Sequence, residues 1–265
     1  MTDTRGDPQW LLDAAGQLLA AERSGLPTAP PARSGPGLTL EQAYRVQAAV
    51  ISGRLDGGAR PVGHKIGLTS AAMQEQMGVS EPDSGILLED MALPCGGELP
   101  TTGLLAPRIE AEIGLRLGRD LTGPALDHQA ARAAVAEVFL ALEVIDTRYG
   151  DWGITLEDSV ADNASAARFV TGAPVPFPLA MDLGRVLVTV RVDDQLVCVG
   201  HGRDVLGDPI NALLWLTRRL HGLGSGLRAG DLVLPGSVHA SIPLRPGTIV
   251  EASSPRLPAV LLRAL

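Results

Sequence analysis

The chain has 265 residues, 45% hydrophobic and 20% charged, which allows a buried core and excludes bulk disorder. Its formal net charge is −8, the wrong sign for a nucleic-acid footprint, and no apolar run approaches the ~18 residues of a membrane span. Two distant cysteines, Cys95 and Cys198, and a start, MTDTRGDPQW, that mixes both charges without an apolar stretch predict a cytoplasmic protein with free thiols and no secretory signal.

Residues 9–23 are predicted as an amphipathic helix with Leu11, Ala15, Leu18 and Leu19 on one stripe. A Pro/Gly loop follows at 28–37. Thr39 and Gln42 then make a capping box, and Leu40, Tyr44 and Ile51 carry the apolar face of a second helix. DGGARP (56–61) ends it. PVGHKIGL (61–68), PRIEAEIGLRL (107–117) and VFLALEVIDT (138–147) are strand-like runs. A short helix is expected over 127–136 with Asp127 as its N-cap. RVLVTVRV and QLVCVG flank Asp193-Asp194 as a hairpin. A helix over 209–221 has Asp208 at N-cap, Pro209 at N1 and Gly222 after its end. LVLPGS, TIVEAS and AVLLRAL close the chain as strands. Strands outnumber helices and connections are short, so the fold class is α+β. A helical region over 1–60 precedes a mixed-sheet domain over 61–265, forming one structural unit.

Of the 22 basic residues, 21 are Arg and one is Lys65, and the whole chain has only two Asn. A GC-rich genome replaces Lys by Arg wherever charge alone matters. The surviving lysine is therefore a candidate for chemistry that needs a compact ammonium of adjustable pKa. On a strand, Gly63 and Gly67 would flank Lys65 on its own face and leave room for a ligand. His64, on the opposite face between Val62 and Ile66, is expected to be a satisfied core histidine.

On the strand PRIEAEIGLRL, Glu110 and Glu112 share a face while Ile109, Ala111, Ile113, Leu115 and Leu117 share the other. Such a pair alone is usually decoration on a solvent-facing strand. Glu143 changes the balance, because it interrupts the apolar run FLALEVI, and burying it unpaired would cost several kcal/mol. Three strand carboxylates make an oxygen site suited to Mg²⁺ or Mn²⁺. Zinc-type His/Cys spacing is absent. The polar cluster 158–165 is expected to be a capped loop-to-helix junction. GLGSG (222–226) is not a nucleophile elbow.

Six ordered blocks carry a more specific signal: GHKIGLTSAAMQEQMGVSEPDSGIL, PRIEAEIGLRL, ALEVIDTRYGDWGI, DSVADNAS, GDPINALLWL and GDLVLPGS. Together, from about residue 9 onward, they resemble the 2-keto-4-pentenoate hydratase branch of the fumarylacetoacetate hydrolase superfamily and its sister 4-oxalocrotonate decarboxylases. The resemblance implies a large mixed β-sheet roll with an N-terminal helical region. It implies Glu110, Glu112 and Glu143 as metal ligands for Mg²⁺ or Mn²⁺. Lys65, Asp83 and Ser165 correspond to catalytic positions, and Lys65, Gly67, Leu68 and Ser165 to substrate-binding positions. The implied reaction is hydration of a 2-hydroxy-2,4-dienoate to a 4-hydroxy-2-oxoacid, with Lys65 binding the carboxylate or shuttling a proton. Alternatives are a decarboxylase on the same scaffold, hydrolysis of an acylpyruvate and a non-catalytic partner subunit. A small-molecule substrate, a homo-oligomer, association with a pathway decarboxylase or aldolase, and a role in aromatic catabolism are also implied. His64 and His239 depart from the family pattern, at positions expected to be aromatic and small respectively.

Overall fold

The computed structural model describes residues 8–33, 37–70, 74, 79, 81–123 and 125–265. Part of the Pro/Gly loop (34–36), most of the 71–80 stretch of the first block and the first seven residues, on which the reading of no secretory signal rests, lie outside the described residues.

The two predicted N-terminal helices are α1 (Gln9–Ser24) and α2 (Leu40–Asp56). The stripe of α1 buries Leu11, Ala15, Leu18 and Ala21. The Thr39–Gln42 capping box forms on α2, satisfying orphan backbone donors at a typical gain of ~1 kcal/mol. Two shorter helices follow, α3 (His128–Ala134) and α4 (Leu156–Ala161), and then α5 (Pro209–Gly222). Among the described residues no helix is long and apolar enough to cross a membrane.

The larger sheet contains β1 (Pro61–Gly67), β2 (Asp83–Leu88), β3 (Ala92–Leu93), β5 (Arg108–Leu117), β6 (Val135–Ile145), β7 (Ala166–Thr171), β8 (Val175–Pro176), β11 (Leu232–Leu234) and β12 (Ile242–Pro243). The smaller contains β4 (Glu98–Leu99), β9 (Leu187–Val192), β10 (Gln195–His201), β13 (Ile249–Ser253) and β14 (Val260–Ala264). The main path of the larger sheet is β2-β1-β11-β5-β6-β7-β3, and that of the smaller is β10-β9-β13-β14-β4. The apolar side of β5, carrying Ile109, Ala111, Ile113, Leu115 and Leu117, packs into the main core together with Val188, Val190, Val250, Leu262 and α5. Its opposite side carries the glutamates. A smaller cluster joins α1, α2 and α4 through Leu11, Leu18, Val46, Val50 and Val160. Buried Gln47 donates to the carbonyls of Ser84 and Val160, which ties α2 to both β2 and α4.

Several boundaries differ from expectation. The short helix stops at Ala134 and β6 starts at Val135, because Val135 and Val138 both enter the main core. Gly222 ends α5 rather than following it. The 158–165 cluster does not cap a following helix. Thr155 caps α4, with Asp158 completing the box, and the remainder is a 3-10 turn, Asn163–Ser165. The Asp193-Asp194 turn has φ of 48° and 65°, as a two-residue type I′ hairpin requires.

The larger sheet curls strongly. Asn163 joins its first strand to the turn leading into β7: its Oδ1 accepts the Ile86 N–H at 2.8 Å and its Nδ2 donates to the Ile86 carbonyl at 2.9 Å. One side chain thus stands in for a missing strand neighbour. We expect Asn163→Ala to orphan both Ile86 groups and to lower stability by about 2 kcal/mol. Urea unfolding would measure the loss, and an unchanged midpoint would show that this bridge contributes nothing.

Candidate active site

Cross-strand register brings the acids together. Glu110 on β5 lies directly opposite Glu143 on β6, while Glu112 lies opposite Ala141. One carboxylate oxygen from each of Glu110, Glu112 and Glu143 lies within 4.8 Å of those from the other two. Like charges directly opposite on a sheet destabilise it, and Glu112 and Glu143 are fully buried. Glu112 Oε2 accepts the Gly236 N–H at 2.7 Å. Its Oε1 and both Glu143 oxygens have no hydrogen-bond partner. Buried carboxylate oxygens without donors suit a hard divalent cation with oxygen ligands, so the three residues fit such an ion.

Lys65 reaches this cluster across the curl. Its strand is three positions from β6 in the sheet, about 14 Å if the sheet were flat. Yet Lys65 Nζ is 3.4 Å from Glu143 Oε1 and donates to the Ala164 carbonyl at 3.0 Å. Asp83, paired with Gly67 at the end of β2, accepts the Ser159 hydroxyl at 2.9 Å through Oδ2 and leaves Oδ1 buried without a partner. The flanking glycines also answer close approaches that the sequence did not predict. A Cβ at Gly63 would stand 2.0 Å from the Leu232 carbonyl oxygen, and one at Gly67 2.3 Å from Asp83 Oδ1. They admit the neighbouring strand and a carboxylate.

Ser165 ends a run of three residues with positive φ, Asn163, Ala164 and Ser165 at 54°, 50° and 58°. Leu68, just after β1, has φ 56°. Left-handed backbone at non-glycine residues costs of order 1–2 kcal/mol each and concentrates at functional sites. This run carries the Ala164 carbonyl to Lys65 and leaves the Ser165 hydroxyl buried without a partner.

A cavity of about 240 Å³ is lined by Lys65, Gly67, Leu68, Asp83, Glu110 and Ser165. It also touches residues that the sequence reading passed over, among them Arg108, Ile145, Trp152, Ile154 and Ser241. The two-residue strand period that paired the glutamates could have flagged Arg108 at the next position on their face. Nothing in the sequence pointed to Trp152, whose indole N–H is held by the Ala106 carbonyl. His239 lines the cavity too. Its Nε2 accepts the Ala111 N–H and its Nδ1 lies 2.7 Å from the Ala240 carbonyl, which fixes Nδ1–H as donor. His64 is a correction: its imidazole makes no hydrogen bond among the described residues and lines a separate cleft with Tyr44 and Gln47. Burial pushes its imidazole down to about 4, so it is neutral there.

Electrostatics follow from this crowding. Burial raises all three glutamates. Glu110 is pushed up to about 7, Lys65 opposing the rise and Glu143 adding to it. Glu112 is raised well above the ordinary range by burial and its two neighbours, and Glu143 is raised by burial against the pull of Lys65. Burial would discharge Lys65, but Glu143, Asp83, Glu110 and Glu112 outweigh it and raise its pKa. The lysine is thus held as an ammonium.

Residues 69–261 match the family model described as fumarylacetoacetate (FAA) hydrolase C-terminal. The chain is 40% identical over 244 residues to a 2-keto-4-pentenoate hydratase of Paraburkholderia xenovorans, covering 92% of this chain and 91% of the relative. It is 34% identical over 243 residues to a 2-hydroxyhexa-2,4-dienoate hydratase of Comamonas testosteroni, covering 91% and 92%. Among solved structures, a 4-oxalocrotonate decarboxylase of Pseudomonas putida, complexed with magnesium and adipate, superposes with a TM-score of 0.93 at 31% identity, covering 97% of this chain and 98% of that one.

A carboxyl group whose pKa rises on folding stabilises the fold at pH below its unfolded value, and that contribution is lost as pH climbs through the folded value. For Glu110 the window runs from the ordinary glutamate range to about 7. We therefore expect the metal-free protein to lose thermal stability across that window and to regain it on addition of Mg²⁺ or Mn²⁺. Glu112→Gln should raise the metal-free melting temperature at pH 7 by about 2–4 °C, equivalent to ~1 kcal/mol, while weakening metal binding. Melting curves against pH, with and without metal, would show both effects. A variant that melts lower without metal would contradict the repulsion.

Proposed function

The chain belongs to the fumarylacetoacetate hydrolase family, and we propose that within it the protein is a metal-dependent hydratase acting on a 2-hydroxy-2,4-dienoate. The observation that carries this reading is the cavity on which three glutamates, Lys65, Asp83 and Ser165 converge. The extended identity to proteins named as hydratases supports the same reading.

In the reaction, a proton leaves the C2 hydroxyl and another is placed on C5, leaving a C3=C4 alkene conjugated to the C2 ketone. The oxygen of water then bonds to C4 and a proton is delivered to C3, giving the 4-hydroxy-2-oxoacid. Glu110, Glu112 and Glu143 would hold Mg²⁺ or Mn²⁺, which supplies Lewis-acid stabilisation of negative charge on the C2 oxygen. Lys65, kept protonated by its acidic neighbours, is the proton donor of the site. Asp83, with one oxygen held by Ser159 and the other free, takes a proton from water. Ser165 directs its unpaired hydroxyl toward the substrate. Ile145, Trp152 and Ile154 exclude bulk solvent from the conjugated chain.

Decarboxylation on the same scaffold is the second reading, favoured by the 0.93 TM-score with a decarboxylase. In either case the protein works in the cytoplasm, on aromatic ring-cleavage products, as a homo-oligomer able to associate with a pathway decarboxylase or aldolase. Exposed Leu196, Val197 and Val199 on the edge strand β10 support assembly.

The test is an ultraviolet assay with 2-hydroxypenta-2,4-dienoate and added Mg²⁺ or Mn²⁺. The expected result is metal-dependent loss of the dienol band with 4-hydroxy-2-oxopentanoate as product. Lys65→Arg should reduce turnover by about 100-fold or more, the scale of a positioned proton donor. Release of CO₂ from a diacid in preference to hydration of the monoacid would establish the second reading instead.

A further inference from the structure

Two cations face the cavity, and they stand in different electrostatic positions. Lys65 is already compensated: Glu143 lies at ion-pair distance and Asp83 acts on it as well. Arg108 is not. It is half-buried on β5, two residues from Glu110 on the same face and opposite Ile145, which places it one strand repeat of about 7 Å beyond the glutamate pair. Among the described residues no carboxylate lies within ion-pair distance of its guanidinium. Arg108 Nε donates to Ser241 Oγ at 2.7 Å and Nη2 donates to the Ser241 carbonyl at 2.6 Å. Ser241 thus occupies the side-on edge and aims the group. The end-on fork, Nη1 with the second proton of Nη2, has no partner among the described residues.

The rings around it offer no competing donor. The indole N–H of Trp152 is engaged by Ala106, and both nitrogens of His239 are engaged by backbone. A planar fork with fixed aim and no carboxylate in ion-pair contact, Glu110 acting on it only from a distance, matches a carboxylate.

We propose that Arg108, oriented by Ser241, binds the substrate carboxylate, and that Lys65, already in contact with Glu143, does not. The substrate's identity rests on the hydratase reading above; the division of labour between the two cations goes beyond it. The formal charges are consistent with one added anion. Four carboxylates line the cluster against Lys65, Arg108 and one divalent ion, so the loaded site is near neutrality and a monoanion enters without a large imbalance.

The experiment measures binding, not turnover. Isothermal titration of the Mg²⁺-loaded protein with 2-oxopentanoate and with its uncharged amide gives an acid-over-amide preference. Arg108→Met should weaken the acid by about 10- to 100-fold, the range of a charge-assisted hydrogen-bonded contact, and leave the amide nearly unchanged. Ser241→Ala should give an intermediate loss. Lys65→Met should keep the preference while abolishing turnover. Unchanged Mn²⁺ affinity in Arg108→Met would show that fold and metal site survive. With the dienoate, Arg108→Met should raise KM far more than it lowers kcat.

The proposal is overturned if Arg108→Met binds the acid as the parent does, if acid and amide weaken equally, or if Lys65→Met erases the preference. Parent protein that shows the Arg108-dependent preference but fails to hydrate the dienoate would sink the hydratase reading and leave this assignment standing.

Discussion

Mutual repulsion among three buried carboxylates is the constraint around which the rest is arranged. Glu110, Glu112 and Glu143 are held by the two long central strands, which cannot splay without breaking their ladder. Their opposite faces are locked into the main core by Ile109, Ala111 and Ile113. The acids therefore cannot relax outward, and the molecule meets the repulsion with Lys65, with the Gly236 N–H and with the capacity to take a divalent ion. The cost in stability is local, and a cation held among the acids would offset it.

The same constraint explains why one lysine persists among so many arginines. Nζ sits between Glu143 and Asp83 beneath the Ala164 carbonyl. A guanidinium in that space would present a broad plane where the structure offers a point, and it could not release a proton. Arg108 shows the converse. It lies where a flat, permanently charged fork can be braced along one edge and presented along another. The two cations illustrate a division that total charge alone would hide.

Much of this was legible in the sequence, for physical reasons. Strand alternation placed Glu110 and Glu112 together, and an acid inside FLALEVI marked Glu143 as needing a partner. The helix caps at Thr39, Asp127 and Asp208 followed local rules and formed. Long-range geometry was not legible. No periodicity encodes the curl that carries Lys65 across three strands to Glu143. The glycines beside Lys65 could be recognised as a demand for space, but what fills that space is another strand and Asp83. The 158–165 cluster looked like a helix start because Asp, Asn and Ser favour caps, whereas Thr155 had already taken that role. His64 looked like a satisfied core residue, yet it faces a cleft, because the outer side of β1 is incompletely covered.

The Asn163 bridge has a consequence for how the protein comes to be active. Asn163 and Ile86 are separated by 77 residues, and contacts of such span form late because the intervening chain must first be ordered. Lys65 reaches the acids only when that seam is shut, since the same turn supplies the Ala164 carbonyl that holds it. The strands bearing the glutamates are a local pair and can assemble earlier. During synthesis and refolding the acids should thus gather before their cation arrives. An incompletely closed chain would hold its negative charges together without relief, and divalent ions in solution would act on it as a folding partner.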